Sequence, residues 1–486
     1  MAQDISDPIG KRYRLVAIII IVLGVTMSAV DTTAVVLGLP VMMQDLHSDI
    51  LSMIWVLLAY LLVITILGTQ VGKLGDMFGR VRMYNLGFAV FTFGSLLCGI
   101  STDGNQLIAF RVLQGVGGAL ISSNSGAIIA DTFSQKERGK AFGITGMGWS
   151  IGAILGILIG GAFVTFLNWR YIFFINLPIG ITATIAGYYL LKERSPRKKE
   201  TVDIGGICLL GVSIFLILYA LTSITGSGLT SIYSLELVMG AIIFVGFILW
   251  ERRTKSPFLD LSLFHDRIFR SSSLAAFFQS LASYAVIFLV IMYLQGPRGM
   301  SPWDASLLLI PGYVLGGFIA PFAGRLSDVH GARVVASIGL ALQICGILVF
   351  SNLGLDTSVY LVIIGSILNG AGTSCFFPAN TSAVMANAPP HSYGISAGLL
   401  RTMSNLGMVC SFAVALFFAS ISIPREVAFQ IFLGVGGLHT DLASAFIEGM
   451  HTALFASIVL LLVALVLSVL RGKEARTNRA GPGTEK

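Results

Sequence analysis

Long apolar runs alternate with short charged loops along the whole chain. Fourteen such runs recur, from residues 15–39 to residues 451–470. Their length suits helices, since crossing a hydrocarbon core takes ~20 apolar residues. Barrel strands would instead show ~10-residue stretches of alternating polarity. The expected fold class is an all-α polytopic membrane protein with 14 transmembrane helices.

One loop breaks the apolar pattern in a way that repeats. Gly72-Lys73-Leu74-Gly75-Asp76-Met77-Phe78-Gly79-Arg80 returns as Gly324-Arg325-Leu326-Ser327-Asp328-Val329-His330-Gly331, with Arg333 two residues on. Gly72 and Gly324 stand 252 positions apart. A long-period repeat points to two related halves. Six spans with short loops need roughly 200 residues at ~20 per span plus connections. The surplus holds two extra helices near 204–223 and 234–250. The expected organisation is 6 + 2 + 6, as pseudo-two-fold halves. Residues 1–200 form one six-helix bundle, 201–255 the inserted pair and 256–486 the second bundle. The inserted pair is expected beside the bundles, away from the transport path.

Composition agrees with a membrane chain. Of 486 residues, 55% are hydrophobic and only 11% charged, against roughly a quarter charged in soluble domains. The net charge of +7 does not imply nucleic acid, because most Lys and Arg fall in loops on one side. By the positive-inside rule that side is cytoplasmic and holds both termini, in the plasma membrane. Basic residues before the first run resemble a signal peptide, but the run lacks a small-residue cleavage site and reads as an uncleaved span. Cys98, Cys208, Cys345, Cys375 and Cys410 have no metal-ligand or redox spacing and read as small buried hydrophobes. No nucleophile-base or metal constellation is present, so an enzyme is not expected, nor any cofactor or metal.

At this point the residues resemble the major facilitator superfamily, and within it the fourteen-span drug:proton antiporters of the multidrug and antiseptic efflux type. The match rests on the 72–82 loop, on Leu107-x-x-x-Arg111-x-x-Gln114-Gly115, on Asp31-Thr32-Thr33 with Leu39-Pro40, and on Asn168-Trp169-Arg170-x-x-Phe173-Phe174-x-Asn176-x-Pro178. It covers nearly the whole chain. In span 5 the glycines Gly152, Gly156, Gly160 and Gly161 remain as a packing face, with Ile157 where the resembling family has proline. In span 13 an arginine stands at Arg401, one turn before Ser404-Asn405.

Asp31 is the one carboxylate well inside a span. Such residues are costly in hydrocarbon and face cavities or partners. With Arg111 as its partner and Gln114 on the same helical face, Asp31 is a candidate proton carrier. The second half has Ser366 where Arg111 stands in the first. Tyr60, Gln114, Gln279, Tyr284, Asn369, Phe376, Phe377 and Asn380 are candidate cavity residues. The resemblance implies a latch in the repeated loop. Gly72, Asp76, Gly79, Arg80 and Asp131 would form its complete copy, with Asp76 reaching the start of span 13 near Ser392–Ser396. Asp328 and Arg333 would form a reduced copy. The expected function is proton-driven export of lipophilic, cationic drugs, dyes or antiseptics by a monomer through alternating access, with small molecules, protons and the lipid bilayer as partners. Export of an endogenous metabolite, lipid or siderophore is the alternative, and a non-transporting sensor or scaffold the second. The outer loop 421–450 carries no assigned role.

Overall fold

The computed structural model describes residues 10–194, 201–228, 230–254, 261–387, 393–422 and 440–472. Fourteen segments among them are long and apolar enough to cross a membrane. The first six spans are α1 (Lys11–Asp45), α2 (Ile50–Phe78), α3 (Arg80–Gly99), α4 (Gly104–Thr132), α5 (Gln135–Phe166) and the pair α6 (Tyr171–Phe174) and α7 (Asn176–Leu190). Then come α8 (Ile204–Ser227) and α9 (Ser231–Glu251). The last six are α10 (Arg267–Gln295), α11 (Pro302–His330), α12 (Ala332–Phe350), α13 (Tyr360–Asn387), α14 (Tyr393–Ser422) and α15 (Thr440–Leu470). The Glu426–Phe432 piece of the outer loop lies outside the described residues.

Helix starts follow local chemistry. Asp49, Asp103, Asp203 and Asp266 each accept a hydrogen bond from the backbone amide three residues on, at 3.4, 2.9, 2.9 and 2.7 Å. Such caps satisfy amides that the first turn leaves free, each contributing about 1 kcal/mol. The repeat is visible in the backbone too. Gly79 and Gly331 link α2 to α3 and α11 to α12, with φ of 112° and 91°. The Gly79 amide donates to the Gly75 carbonyl at 2.9 Å and the Gly331 amide to the Ser327 carbonyl at 3.0 Å.

The helix pairings also repeat. In the first half α1 packs on α5, α2 on α4, α3 on α4, and α7 on both α1 and α3. The second half answers with α10 on α14, α11 on α13, α12 on α13, and α15 on both α10 and α12. Across the halves the main contacts are α5 with α11 and α2 with α14, which the same correspondence exchanges.

Small residues set how closely these helices approach, as expected where no water separates them. A Cβ on Gly152, Gly156 or Gly160 would lie 2.7 Å from the Thr26 carbonyl, 2.0 Å from Thr33 Oγ1 and 2.8 Å from Ala34 Cα, all on α1. Gly161 instead faces α11, where a Cβ would meet Ser306 Oγ at 2.8 Å.

One expectation needs correction. Cys208 and Cys345 are exposed, not buried; on outer helix faces a small apolar thiol suits lipid as well as a core. The inserted pair supplies no cavity-lining residue; α8 packs on both α2 and α14 and so lies over the seam between the halves. Trp55 of α2 packs on Phe215 of α8 with centroids 5.2 Å apart, and Gln70 Oε1 accepts from the Asp203 amide at 3.3 Å.

Candidate functional site

A central cavity lies between the halves. It holds about 1480 Å³ of empty space, part of it open to solvent. Its wall is mostly apolar, with Thr32 and Tyr60 on one side and Gln279, Tyr284, Tyr313 and Asn369 on the other.

The halves meet on the face away from the chain ends. There the Trp303 amide donates to Thr165 Oγ1 at 3.0 Å, Gln295 Nε2 to the Leu37 carbonyl at 3.2 Å, and Phe166 packs edge-on against Trp303. Toward the face that carries the chain ends, the tail face, the cavity-lining stripes run onto glycines. Leu61 leads to Gly72 on α2, Ser150 to Gly143 and Gly146 on α5, Gly317 to Gly324 on α11, and Phe412 to Gly398 on α14, all at helical spacing. A Cβ on any of these five glycines meets nothing within 4 Å. Among the described residues the cavity therefore opens on the tail face and is closed on the other.

Behind its wall sits a buried polar network. Asp31 and Arg111 are both 0% exposed. Arg111 Nη1 donates to Asp31 Oδ2 at 2.6 Å and to Gln114 Oε1 at 2.5 Å, and its Nε to the Val56 carbonyl at 3.1 Å. Gln114 Nε2 donates to Asp31 Oδ1 and to Ser95 Oγ, both at 2.8 Å, and Asn176 Nδ2 reaches Asp31 Oδ1 at 3.2 Å. The guanidinium lies 4.1 Å over the Tyr60 ring. Such neighbours make an ion pair at this depth tolerable, although the buried Arg111 Nη2 has no hydrogen-bond partner. Arg111 and Tyr60 line the cavity while Asp31 lies behind them.

Sequence reasoning placed Asp31 beside Arg111 and Gln114 but missed Ser95 and Asn176. Asn176 could have been found, as an amide inside an otherwise apolar span and inside a motif already noted. Of the candidate cavity residues, Tyr60, Gln279, Tyr284, Asn369 and Phe377 line the wall. Gln114, Phe376 and Asn380 do not. Gln114 turns back into the Asp31 network. Phe376, one residue and so about 100° round the helix from Phe377, packs on α12, where Gly339 makes room. Asn380 is tied up by the Ser272 carbonyl at 3.0 Å and Arg471 Nη1 at 3.2 Å. In the second half Gln279 Nε2 and Ser283 Oγ both donate to Gln343 Oε1, at 2.9 and 2.7 Å, in a wholly neutral network.

The repeated loop has a complete charge set in the first half. Arg80 Nε and Nη2 hold Asp76 Oδ1 at 2.7 and 2.6 Å, and its Nη1 holds Asp131 Oδ1 at 2.6 Å. Glu193, which sequence reasoning missed, accepts from the Arg80 and Val81 amides at 2.9 and 3.1 Å and caps α3. The expected Asp76 contact to the start of span 13 is not made by any described residue, and Ser392 lies outside them. In the second half the Asp328 side chain lies outside the described residues, and among the described residues Arg333 has no carboxylate partner.

Gly79 has two reasons to be glycine, its positive φ and a Cβ position 2.5 Å from Glu193 Oε2. Gly79→Ala is expected to cost about 1–3 kcal/mol, the scale of a strained backbone residue. Gly72→Ala, with open space around it, is expected to leave thermal unfolding unchanged. Melting curves of the two variants in one detergent check this; equal melting temperatures would contradict it.

Known proteins resemble this chain throughout. The family model described as Major Facilitator Superfamily matches residues 21–264 and 272–486. The riboflavin transporter RibZ of Clostridioides difficile (strain 630) is 32% identical over 420 residues, covering 86% of this chain and 90% of its own. The tetracenomycin C resistance and export protein of Streptomyces glaucescens is 30% identical, covering 80% of this chain and 72% of its own. Multidrug resistance proteins and a multidrug transporter protein are among the other relatives. A solved bacterial homolog of the human lysosomal transporter Spinster, in an inward-facing and occupied conformation, superposes with a TM-score of 0.70 at 18% identity, over 98% of this chain and 100% of that one; at that identity the likeness is one of fold.

Proposed function

This chain belongs to the Major Facilitator Superfamily of transporters, and we propose that it is a proton-coupled exporter of lipophilic small molecules, working as a monomer. The observation that carries this reading is the Asp31–Arg111 pair, buried directly behind the wall of an apolar cavity that opens on one face only. In the proposed cycle, substrate enters the cavity from the tail face. The Lys and Arg of the loops assign that face to the cytoplasm. The halves then rock so that the cavity faces outward. Asp31, now hydrated, takes a proton, and Arg111 loses its ion pair. Return to the inward-facing state releases the proton to the cytoplasm as Arg111 reclaims the carboxylate. The Asp76–Arg80–Asp131 set locks the tail face when the cavity faces outward, with Asp76 turning to the free amides at the start of α14. Relatives named for export or for multidrug resistance support the direction of transport.

Cationic substrates were expected because Asp31 would face the cavity. Since Asp31 lies behind Arg111, that ground for cation preference is gone. A second reading is transport of a planar, polar heteroaromatic compound. It is supported by the riboflavin transporter's 32% identity over 90% of its length and by the amides of Gln279 and Asn369 on the wall.

Inside-out vesicles carrying the protein test the function. With an imposed proton gradient, a panel of lipophilic dyes and riboflavin should include at least one compound that accumulates, and the uptake should collapse with an uncoupler. Uptake that survives the uncoupler would contradict proton coupling. Uptake of riboflavin alone would select the second reading.

A further inference from the structure

One ionisable group at the cavity takes no part in the scheme above. Arg401 lies on α14 between its tail-face end and the cavity lining, and is exposed. It shares a helical face with Gly398, Met408 and Phe412, at spacings of three, seven and eleven residues. Met408 and Phe412 line the cavity, and Gly398 borders empty space. The exposure of Arg401 is thus on the cavity's side of α14, at the tail-face mouth below the lining residues Met408 and Phe412. Among the described residues Arg401 has neither an ion pair nor a hydrogen-bond acceptor.

An arginine at membrane depth must be paired, hydrated or used. Arg111 is paired on the opposite side of the cavity. No carboxylate is among the described residues that line the wall. The potential there is therefore positive, and its free source is a planar fork of five donors that matches a carboxylate.

We propose that Arg401 is the substrate's anion anchor, so that the molecules this cavity takes carry a carboxylate or similar anionic group on a lipophilic, aromatic body. The proposal rests on the reading of the chain as a cavity transporter and names the substrate class. Tyr284 and Tyr313, on the wall above the anchor, would offer hydroxyls and ring faces. The apolar wall formed by Ile287, Phe288 and Phe377 would hold the body.

The test uses two dyes on one xanthene frame, fluorescein as the anion and rhodamine 6G as the cation. Binding is read by dye anisotropy with the full chain in nanodiscs, and flux in inside-out vesicles with a proton gradient. Wild type should bind fluorescein more tightly than rhodamine 6G. Arg401→Gln should weaken fluorescein about tenfold or more, the scale of one charge-assisted hydrogen bond, and leave rhodamine 6G unchanged or improved. Arg401→Lys should restore part of the preference. Equal binding of both dyes, preference for the cation, binding of neither, or a preference that Arg401→Gln leaves intact would each overturn the anchor. Loss of both dyes to the same degree in Arg401→Gln would assign the arginine a structural role and also overturn it. If fluorescein binding depends on Arg401 but no flux follows the gradient, the anchor stands and the transport reading fails.

Discussion

Asp31→Asn is expected to reduce gradient-driven efflux to the level of protein-free vesicles, while the protein still reaches the membrane. The carboxylate is the network's one acid, and Arg111, Gln114 and Asn176 all donate to it. Asparagine keeps an acceptor for Arg111 but carries no titratable proton, so coupling is lost while most of the packing survives. Asp31→Ala should behave differently. Both variants leave the Arg111 charge uncompensated, but alanine also removes its hydrogen-bond acceptor, so it comes nearer the about 3–5 kcal/mol of a broken buried pair and should lower expression as well as flux. Comparing flux per molecule with surface abundance separates the two effects. Full gradient-driven flux in Asp31→Asn would remove Asp31 as the proton carrier.

Gly156→Val is expected to have the next largest effect. A Cβ there would lie 2.0 Å from Thr33 Oγ1 and 2.7 Å from the Val30 carbonyl. The second contact is to backbone, so the clash cannot be relieved by a rotamer change. The α1–α5 pair has to separate, at about 1–3 kcal/mol for overpacking of this kind. Asp31 sits on α1 between Val30 and Thr33, so the same shift loosens its network. Both the melting temperature and the flux should fall. Gly146→Ala, on the same helix but beside empty space, should change neither melting nor inward-facing binding. Equal melting of Gly156→Val and wild type would contradict the packing account.

Much of this architecture was legible because membrane helices write themselves in long apolar runs. The two halves were legible from the loop at Gly72 and its copy at Gly324, and the backbone repeats there down to the positive φ of Gly79 and Gly331. Asp31 and Arg111 could be paired from sequence because a lone acid and a lone base in apolar spans have few other ways to be satisfied. Other features were not legible, for physical reasons. Which way a polar side chain turns depends on its rotation about the helix and on its neighbours, so Gln114 and Asn380 were placed in the cavity but lie in networks behind or below it. Ser95 and Glu193 act through contacts across helices that no spacing announces. The position of α8 over the seam is a tertiary fact. Its apolar sequence says only that it crosses the membrane. Arg401 was visible as a charge inside a span, but its exposure on the cavity's side needed the lining face of α14 to be placed.

The most direct test of proton coupling is substrate-evoked proton movement in proteoliposomes. A pH gradient is imposed, an internal pH dye reports it, and a compound found to be carried in the vesicle panel is added. The account predicts that wild type dissipates the gradient only when that compound is present, and that Asp31→Asn does not. Transport of the compound with no accompanying proton movement would contradict it.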